Sequence, residues 1–278
     1  MQIIKNSKFI KYVLNILRYL ILNIWALVVL VPILWVVSAS FKPINEVFEF
    51  SIPSKLMFEN YIIPFTTKPY FRYLLNSILF ASGATIGNLF FCSLAGYGFA
   101  KFRFFGRKVF FIIILSTMML SIHVIMVPLF IMIYNLNWGD TWMGLFAPFL
   151  VTAFGIFLMR QNIINIPDSY IEAARIDGAS EIRIYFNIIL PSAKPILSTL
   201  GILSFMFTWD EFVWPLIIAT TEHTRTMSVG VALLFTVFRS PINQMAAVSV
   251  VGMLPVLIAY LFCHRYFIES LSVTGLKE

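Results

Sequence analysis

Charge is scarce in this chain: only 12% of its 278 residues are Asp, Glu, Lys or Arg, while 60% are hydrophobic. Soluble domains carry about 25% charge, so a water-soluble fold of this length would lack the polar groups to cover its surface. Cysteine is nearly absent, and Cys92 and Cys263 both lie inside apolar runs. Neither has metal-ligand spacing, and they imply no disulfide framework. Three histidines leave little material for a metal or acid–base centre. No G-x-x-x-x-G-K-[ST] segment occurs, which excludes a phosphate loop for ATP within this chain. No nucleophile elbow stands out, so neither catalysis nor a bound cofactor is expected here. Aromatics interleaved with Lys and Arg in a polar context are also missing, and no nucleic-acid partner is expected. The formal charge of +7 is instead spread beside apolar runs, where it reports orientation.

Long apolar runs are what the chain has in abundance. A membrane-spanning helix takes about 20 predominantly apolar residues. Six runs reach that length, at 19–40, 73–100, 109–136, 141–159, 196–220 and 242–263. The fold class is therefore an all-α integral membrane protein with six transmembrane helices. Residues 1–18 form a cytoplasmic or interfacial N-terminal segment, read either as an interfacial helix or as a helical extension of the first span, with 19–265 one transmembrane domain and 266–278 a cytoplasmic tail. The basic N-terminus resembles a secretory signal, but its apolar run exceeds the roughly 7–15 residues of a signal core, so it reads as an uncleaved first span. Placing the N-terminus in the cytoplasm puts 14 Lys/Arg in inside segments and 6 in outside ones. That asymmetry sets both termini in the cytoplasm. The outside loop 41–72 holds four prolines, too many for a long helix.

Several polar residues interrupt the spans. Gly83 and Gly87 stand in a G-x-x-x-G spacing that permits close helix approach, and Gly96 and Gly98 near the inner end of that span suggest a turn. His123 falls mid-run in the third span, where an ionisable group marks function by default; a neutral histidine bonded to a neighbouring helix is the plainer reading. Asp210 and Glu211 fall in the fifth, about 20 Å from its inner end at about 1.5 Å per residue. Adjacent carboxylates there need water, a cation or donors. With Trp209, Phe212 and Trp214 around them they form a candidate substrate pathway, or else they cap or pair inside the protein. The run 228–238 is too short to span and suits a re-entrant or packing segment.

One polar stretch, 160–195, separates the fourth and fifth spans. Pro167-Asp168-Ser169 starts a helix, and Ser169 with Glu172 has capping-box spacing. Gly178 stands where a left-handed C-terminal cap is wanted, giving a helix at about 170–177 and a second helical piece from about 181. Glu172-Ala173-Ala174, three residues, Gly178, nine residues, then Ile188-x-Leu190-Pro191 resembles the EAA loop of binding-protein-dependent ABC importer permeases. Ile166-Pro167, Ile176-Asp177-Gly178-Ala179 and Trp209-Asp210-Glu211-Phe212 are similar to the carbohydrate branch, the smaller permease subunit of maltose-type importers. The resemblance runs from about Asn60 to the C-terminus.

That resemblance implies an EAA-type coupling helix on the cytoplasmic side, with Glu172, Ala173, Ala174, Asp177, Gly178, Leu190 and Pro191 as its ATPase-coupling residues. It implies a multi-pass permease of the bacterial inner (cytoplasmic) membrane, importing a sugar or oligosaccharide, or alternatively a solute such as glycerol phosphate. Its partners would be a second permease subunit, two copies of a cytoplasmic ABC ATPase carrying ATP and Mg, an extracytoplasmic solute-binding protein and membrane lipid. An autonomous secondary transporter using Asp210 and Glu211 is the alternative from another class, weakened by the lack of internal repeats. The family's terminal pattern is incomplete in Thr274-Gly275-Leu276-Lys277-Glu278, which leaves the tail without an assigned contact.

Overall fold

The computed structural model describes residues 2–236 and 241–275, with side chains at 12, 14–234 and 241–261. In chain order the helices are α1 (Gln2–Phe41), α2 (Glu59–Thr67), α3 (Tyr70–Lys101), α4 (Arg107–Thr117), α5 (Met126–Asn135), α6 (Trp142–Phe146) and α7 (Ala153–Ile163). They continue with α8 (Asp168–Ile176), α9 (Glu181–Ile184), α10 (Leu190–Ser192), α11 (Lys194–Asp210), α12 (Val213–Ile218), α13 (Met227–Thr236) and α14 (Ile242–Gly275). No strand occurs among the described residues. The side chains of most of the expected interfacial segment 1–18 and of the tail 266–278 lie outside the described residues.

Among the described residues, three helices are long and apolar enough to cross a membrane: Leu14–Phe41, Tyr70–Lys101 and Ile242–Leu261. Two bent pairs raise the number to five, one at 142–163 bent by 49° and one at 181–210 bent by 80°. The expected third span, 109–136, is not a continuous helix. α4 stops at Thr117, where the Ser116 and Thr117 hydroxyls each donate to the carbonyl three residues back, at 2.7 Å. α5 begins at Met126, because the ring of Pro128 would collide with the carbonyl of residue 124 in a helix running through it. His123 sits in the connection, exposed, with Nδ1 3.2 Å from the Ser121 hydroxyl rather than bonded to a neighbouring helix.

The expected fifth span, 196–220, breaks for the same reason. Pro215 excludes helix through the carbonyl of Glu211, and Glu211 is extended at φ −66°, ψ 123°. The second span departs in the other direction. α3 stays helical through Gly96 and Gly98 to Lys101, with no turn. Gly96 serves contact instead: a β-carbon there would lie 2.7 Å from Met159 Cβ and 2.9 Å from the Arg160 nitrogen, so α7 packs directly on the α3 backbone.

The chain forms two bodies, 1–68 with 234–251 and 69–233 with 252–278. In the first, Ala39, Val47 and Ala246 form a small apolar core. Beside it Lys42 is buried, its ammonium donating to the Glu49 carbonyl at 2.6 Å. The Asn60 amide donates to the Ser40 and Lys42 carbonyls, and the Asn243 amide to Lys42 and to Asn60 Oδ1. Buried backbone acceptors at the end of α1 are thereby satisfied, which a loop of this depth requires.

The second body is built on α3. One apolar cluster joins α3, α7, α8, α9 and α11 through Cys92, Tyr97, Met159, Ile171, Ile184 and Leu200. Another joins α3, α5, α6 and α12 through Phe80, Ile133, Leu145 and Trp214. Between them the Asn88 amide donates to the Phe149 carbonyl and the Thr152 hydroxyl, both at 3.1 Å. The short apolar run after 227 packs on the start of α3: Met227 N–H donates to Ser77 Oγ at 2.7 Å and Tyr70 OH to the Gly230 carbonyl at 2.9 Å.

Candidate functional site

The polar loop folds into two short helices. α8 begins one residue after Pro167, whose φ of −59° fits a residue entering a helix, and it ends at Ile176 with Asp177 as C-cap. The expected capping box does not form, since Ser169 lies inside the first turn and the N-cap position holds Pro167, without a capping hydrogen bond. Asp168 takes over the acidic role at the helix start. At the other end Gly178 adopts φ +78°, with Gly178 N–H donating to the Arg175 carbonyl at 3.0 Å and Ala179 N–H to Ala174 at 2.9 Å. These two bonds make a Schellman cap. After it, the Ser180 hydroxyl accepts from Arg183 N–H and starts α9 where a second helical piece was expected.

α8 turns Ile171 and, in part, Ala174 inward, leaving Glu172, Ala173, Ile176, Asp177 and Gly178 exposed on its outer side. Ile176 is 86% and Ile182 72% exposed, two large apolar side chains offered beside charge. Leu190 packs against the core and Pro191 is exposed, just before the elbow at the buried Ala193.

Side chains on α3 fix this loop, and sequence reasoning did not find them. The Lys101 ammonium, nearly enclosed, donates to the Ile166 carbonyl and, at 2.6 Å, to Asp168 Oδ1. That hydrogen bond and the Lys101 charge hold the Asp168 carboxyl below the usual range. Tyr97 OH donates to Glu181 Oε2 at 2.8 Å, and Arg175 Nε to Glu181 Oε1 at 2.7 Å. One ring further, Tyr185 OH lies 2.7 Å from Ser93 Oγ. α3 therefore grips the loop at the start of α8, at the start of α9 and in the turn after it. Partners more than sixty residues apart leave no periodic trace; a lysine ending an apolar run was the one available signal.

The acid–aromatic group separates into unlike members. Glu211 is buried and its Oε1 accepts the Trp214 N–H at 3.1 Å, capping α12 across the break. Its carbonyl accepts the Ser228 hydroxyl. Trp214 is fully enclosed, with Nε1 donating to the Gly144 carbonyl at 3.1 Å. Trp209 is buried and stacks on Phe205 with ring centroids 5.8 Å apart, while Phe212 is half-buried. Asp210 alone of the pair is exposed. No group of three or more metal-ligating side chains occurs among the described residues.

A family profile described as "Binding-protein-dependent transport system inner membrane component" matches residues 92–271. The arabinooligosaccharides transport system permease protein AraQ of Bacillus subtilis is 33% identical over 258 residues, covering 91% of this chain and 92% of that protein. The sn-glycerol-3-phosphate transport system permease protein UgpE of Yersinia pestis is 30% identical over 269 residues, covering 93% and 96%. A chain in the crystal structure of a bacterial ABC transporter involved in the import of the acidic polysaccharide alginate superposes with a TM-score of 0.81 at 28% identity, over 92% of this chain and 96% of that one. Bacterial alginate ABC transporter in complex with alginate pentasaccharide-bound periplasmic protein shares the fold, with a TM-score of 0.68 at 16% identity, over 90% and 92%. Profile, relatives and fold agree, and the chain belongs to the family of binding-protein-dependent transport system inner membrane components, the permeases of ABC importers.

Proposed function

We propose that this chain forms half of the translocation pathway of a bacterial ABC importer for a sugar or oligosaccharide, with six spans, cytoplasmic termini and a cytoplasmic 160–195 loop. The observation that carries this reading is α8: a short helix closed by a Schellman cap, gripped from behind by α3, with charged and apolar groups left open on its outer side. Such a helix suits the groove of a separate ATPase. Glu172 offers a charged contact, Ala173 permits close backbone approach, and Gly178 fixes the exit angle toward α9.

When two ATPase subunits close on ATP and Mg, α8 moves with them. Asp168–Lys101 and Glu181–Tyr97 pass that displacement to the end of α3, and Leu190 and Pro191 pass it to α11 through the bent elbow. Coupling of this kind needs a two-state element, here the packing of α3 and α11. A second permease supplies the other half of the path, and an extracytoplasmic solute-binding protein delivers the solute. Along α11 and α12, the exposed Asp210 and the half-buried Phe212 are the groups open to a polar solute. Glu211 and Trp214 hold the break that presents them.

The names of AraQ and of the alginate transporter favour a carbohydrate. The UgpE relatives support a second reading, glycerol 3-phosphate. Tagged purification in mild detergent should recover a second multi-span permease and a P-loop ATPase. ATP hydrolysis by that complex, with its binding protein, should rise with an oligosaccharide. A rise with glycerol 3-phosphate instead selects the second reading, and recovery of this chain alone contradicts both.

A further inference from the structure

We propose that the corner between α3 and α4 binds the headgroup of an anionic phospholipid. The corner reads Phe102-Arg103-Phe104-Phe105-Gly106-Arg107-Lys108. The chain leaves α3 extended at Phe102, turns at Gly106 with φ +78°, and begins α4. A recess of about 350 Å³ opens at this turn, lined by Arg103, Phe104, Gly106, Arg107, Lys108 and Val109. A second of about 150 Å³ shares Arg107 and Lys108 and adds Phe111, Ile112 and Arg160. Four cations thus face two adjoining recesses whose linings hold no acid. Two are held in place: Arg107 donates to the Phe102 carbonyl at 3.0 Å, and Arg160 donates to the Phe99 carbonyl while lying 4.2 Å from the Phe111 ring centre. Asp168 is the acid within electrostatic reach of Arg103, but its carboxylate is bonded to Lys101.

The surroundings distinguish a lipid from a free phosphate. Phe105 is wholly exposed beside the cations, and α4 continues from them with Val109, Phe110, Ile112 and Ile113 each more than half exposed. An aromatic at the interface and an apolar stripe leading away from a basic recess match a headgroup followed by an acyl chain. Basic recesses between spans on the cytoplasmic side favour anionic headgroups. The leaflet rests on the orientation proposed above; the recess and its charge do not.

The test uses the purified importer complex in nanodiscs of equimolar phosphatidylglycerol and phosphatidylethanolamine, with the lipids retained after detergent exchange counted by native mass spectrometry. Phosphatidylglycerol should be enriched on the intact complex. Arg107→Gln with Lys108→Gln should reduce that enrichment about fivefold per charge removed. The single variant Lys108→Glu, at an exposed position, should act in the same direction without disturbing the corner. Millimolar inorganic phosphate should not displace the lipid. Equal retention of the two lipids, unchanged enrichment in both variants, or displacement by phosphate would each overturn the proposal. The count needs neither nucleotide nor substrate, so its failure is separate from a failure of uptake.

Discussion

Two helix ends in this chain use carboxylates in opposite ways. At α8, Asp168 and Glu172 are exposed, and Asp168 leans on a lysine that is itself nearly enclosed. At the α11–α12 break, Glu211 is buried and spends its carboxylate on the Trp214 N–H, while its neighbour Asp210 faces outward. The loop leaves Glu172 exposed, ties Asp168 and Glu181 to Lys101 and Tyr97 of α3, and takes its rigidity from those bonds and the glycine cap. The break consumes one acid to satisfy itself and leaves the other free. Adjacent acids therefore need not share a role: the proline four residues beyond Glu211 selects which carboxylate meets an unsatisfied backbone donor.

The largest expected effect is at the cap. Gly178 has open space around its α-carbon, so a substitution there acts through the backbone alone. Gly178→Val puts a β-branched residue in the left-handed region, at a cost of about 1–2 kcal/mol. Uptake should be lost while membrane insertion persists, and Gly178→Asn, which tolerates that conformation, should restore much of it. Equal loss in both variants would break the contrast with the α11–α12 end.

Next comes the pair that the structure separates. Glu211→Ala strands a buried N–H, at a cost of about 1–3 kcal/mol, and should lower the melting temperature in detergent. Asp210→Asn should leave melting unchanged and reduce uptake. A melting loss from Asp210→Asn alone would reverse the assignment.

The smallest effect is a pH dependence. The Asp168 carboxyl is held below its ordinary value by Lys101, so its contribution is present at neutral pH. It is lost only as pH falls through that lowered value, below roughly pH 4. Amide protection across 166–172, taken relative to the intrinsic exchange rate at each pH, should fall there, and in Asp168→Asn that change should disappear. Asp168 is exposed and its pairing with Lys101 is screened by solvent, so the effect is modest.

The loop was legible because its signals are local: Pro167, the Glu172-Ala173-Ala174 run and Gly178 act within about three turns of one another. The first turn was read two residues late, since Ser169 has capping chemistry but Pro167 already fixes the entering backbone angle. The broken third and fifth spans were missed because hydropathy averages over Pro128 and Pro215, each of which forbids helix through the carbonyl four residues earlier. Gly96 was read for its freedom and serves instead for its lack of a side chain, a fact that depends on Arg160 being opposite. The grip of Lys101 and Tyr97 on the loop is a matter of tertiary approach between residues that sequence spacing does not relate.

Disulfide trapping with Ile176→Cys tests the central claim, that α8 is the element the ATPase holds. Ile176 is exposed at the end of the helix, and the native Cys92 is buried. With the importer complex carrying single cysteines along the ATPase groove, a bond to position 176 should form in high yield and change between nucleotide-free and ATP-bound states. Recovery of an intact complex with no bond at any groove position, in either state, would contradict the account.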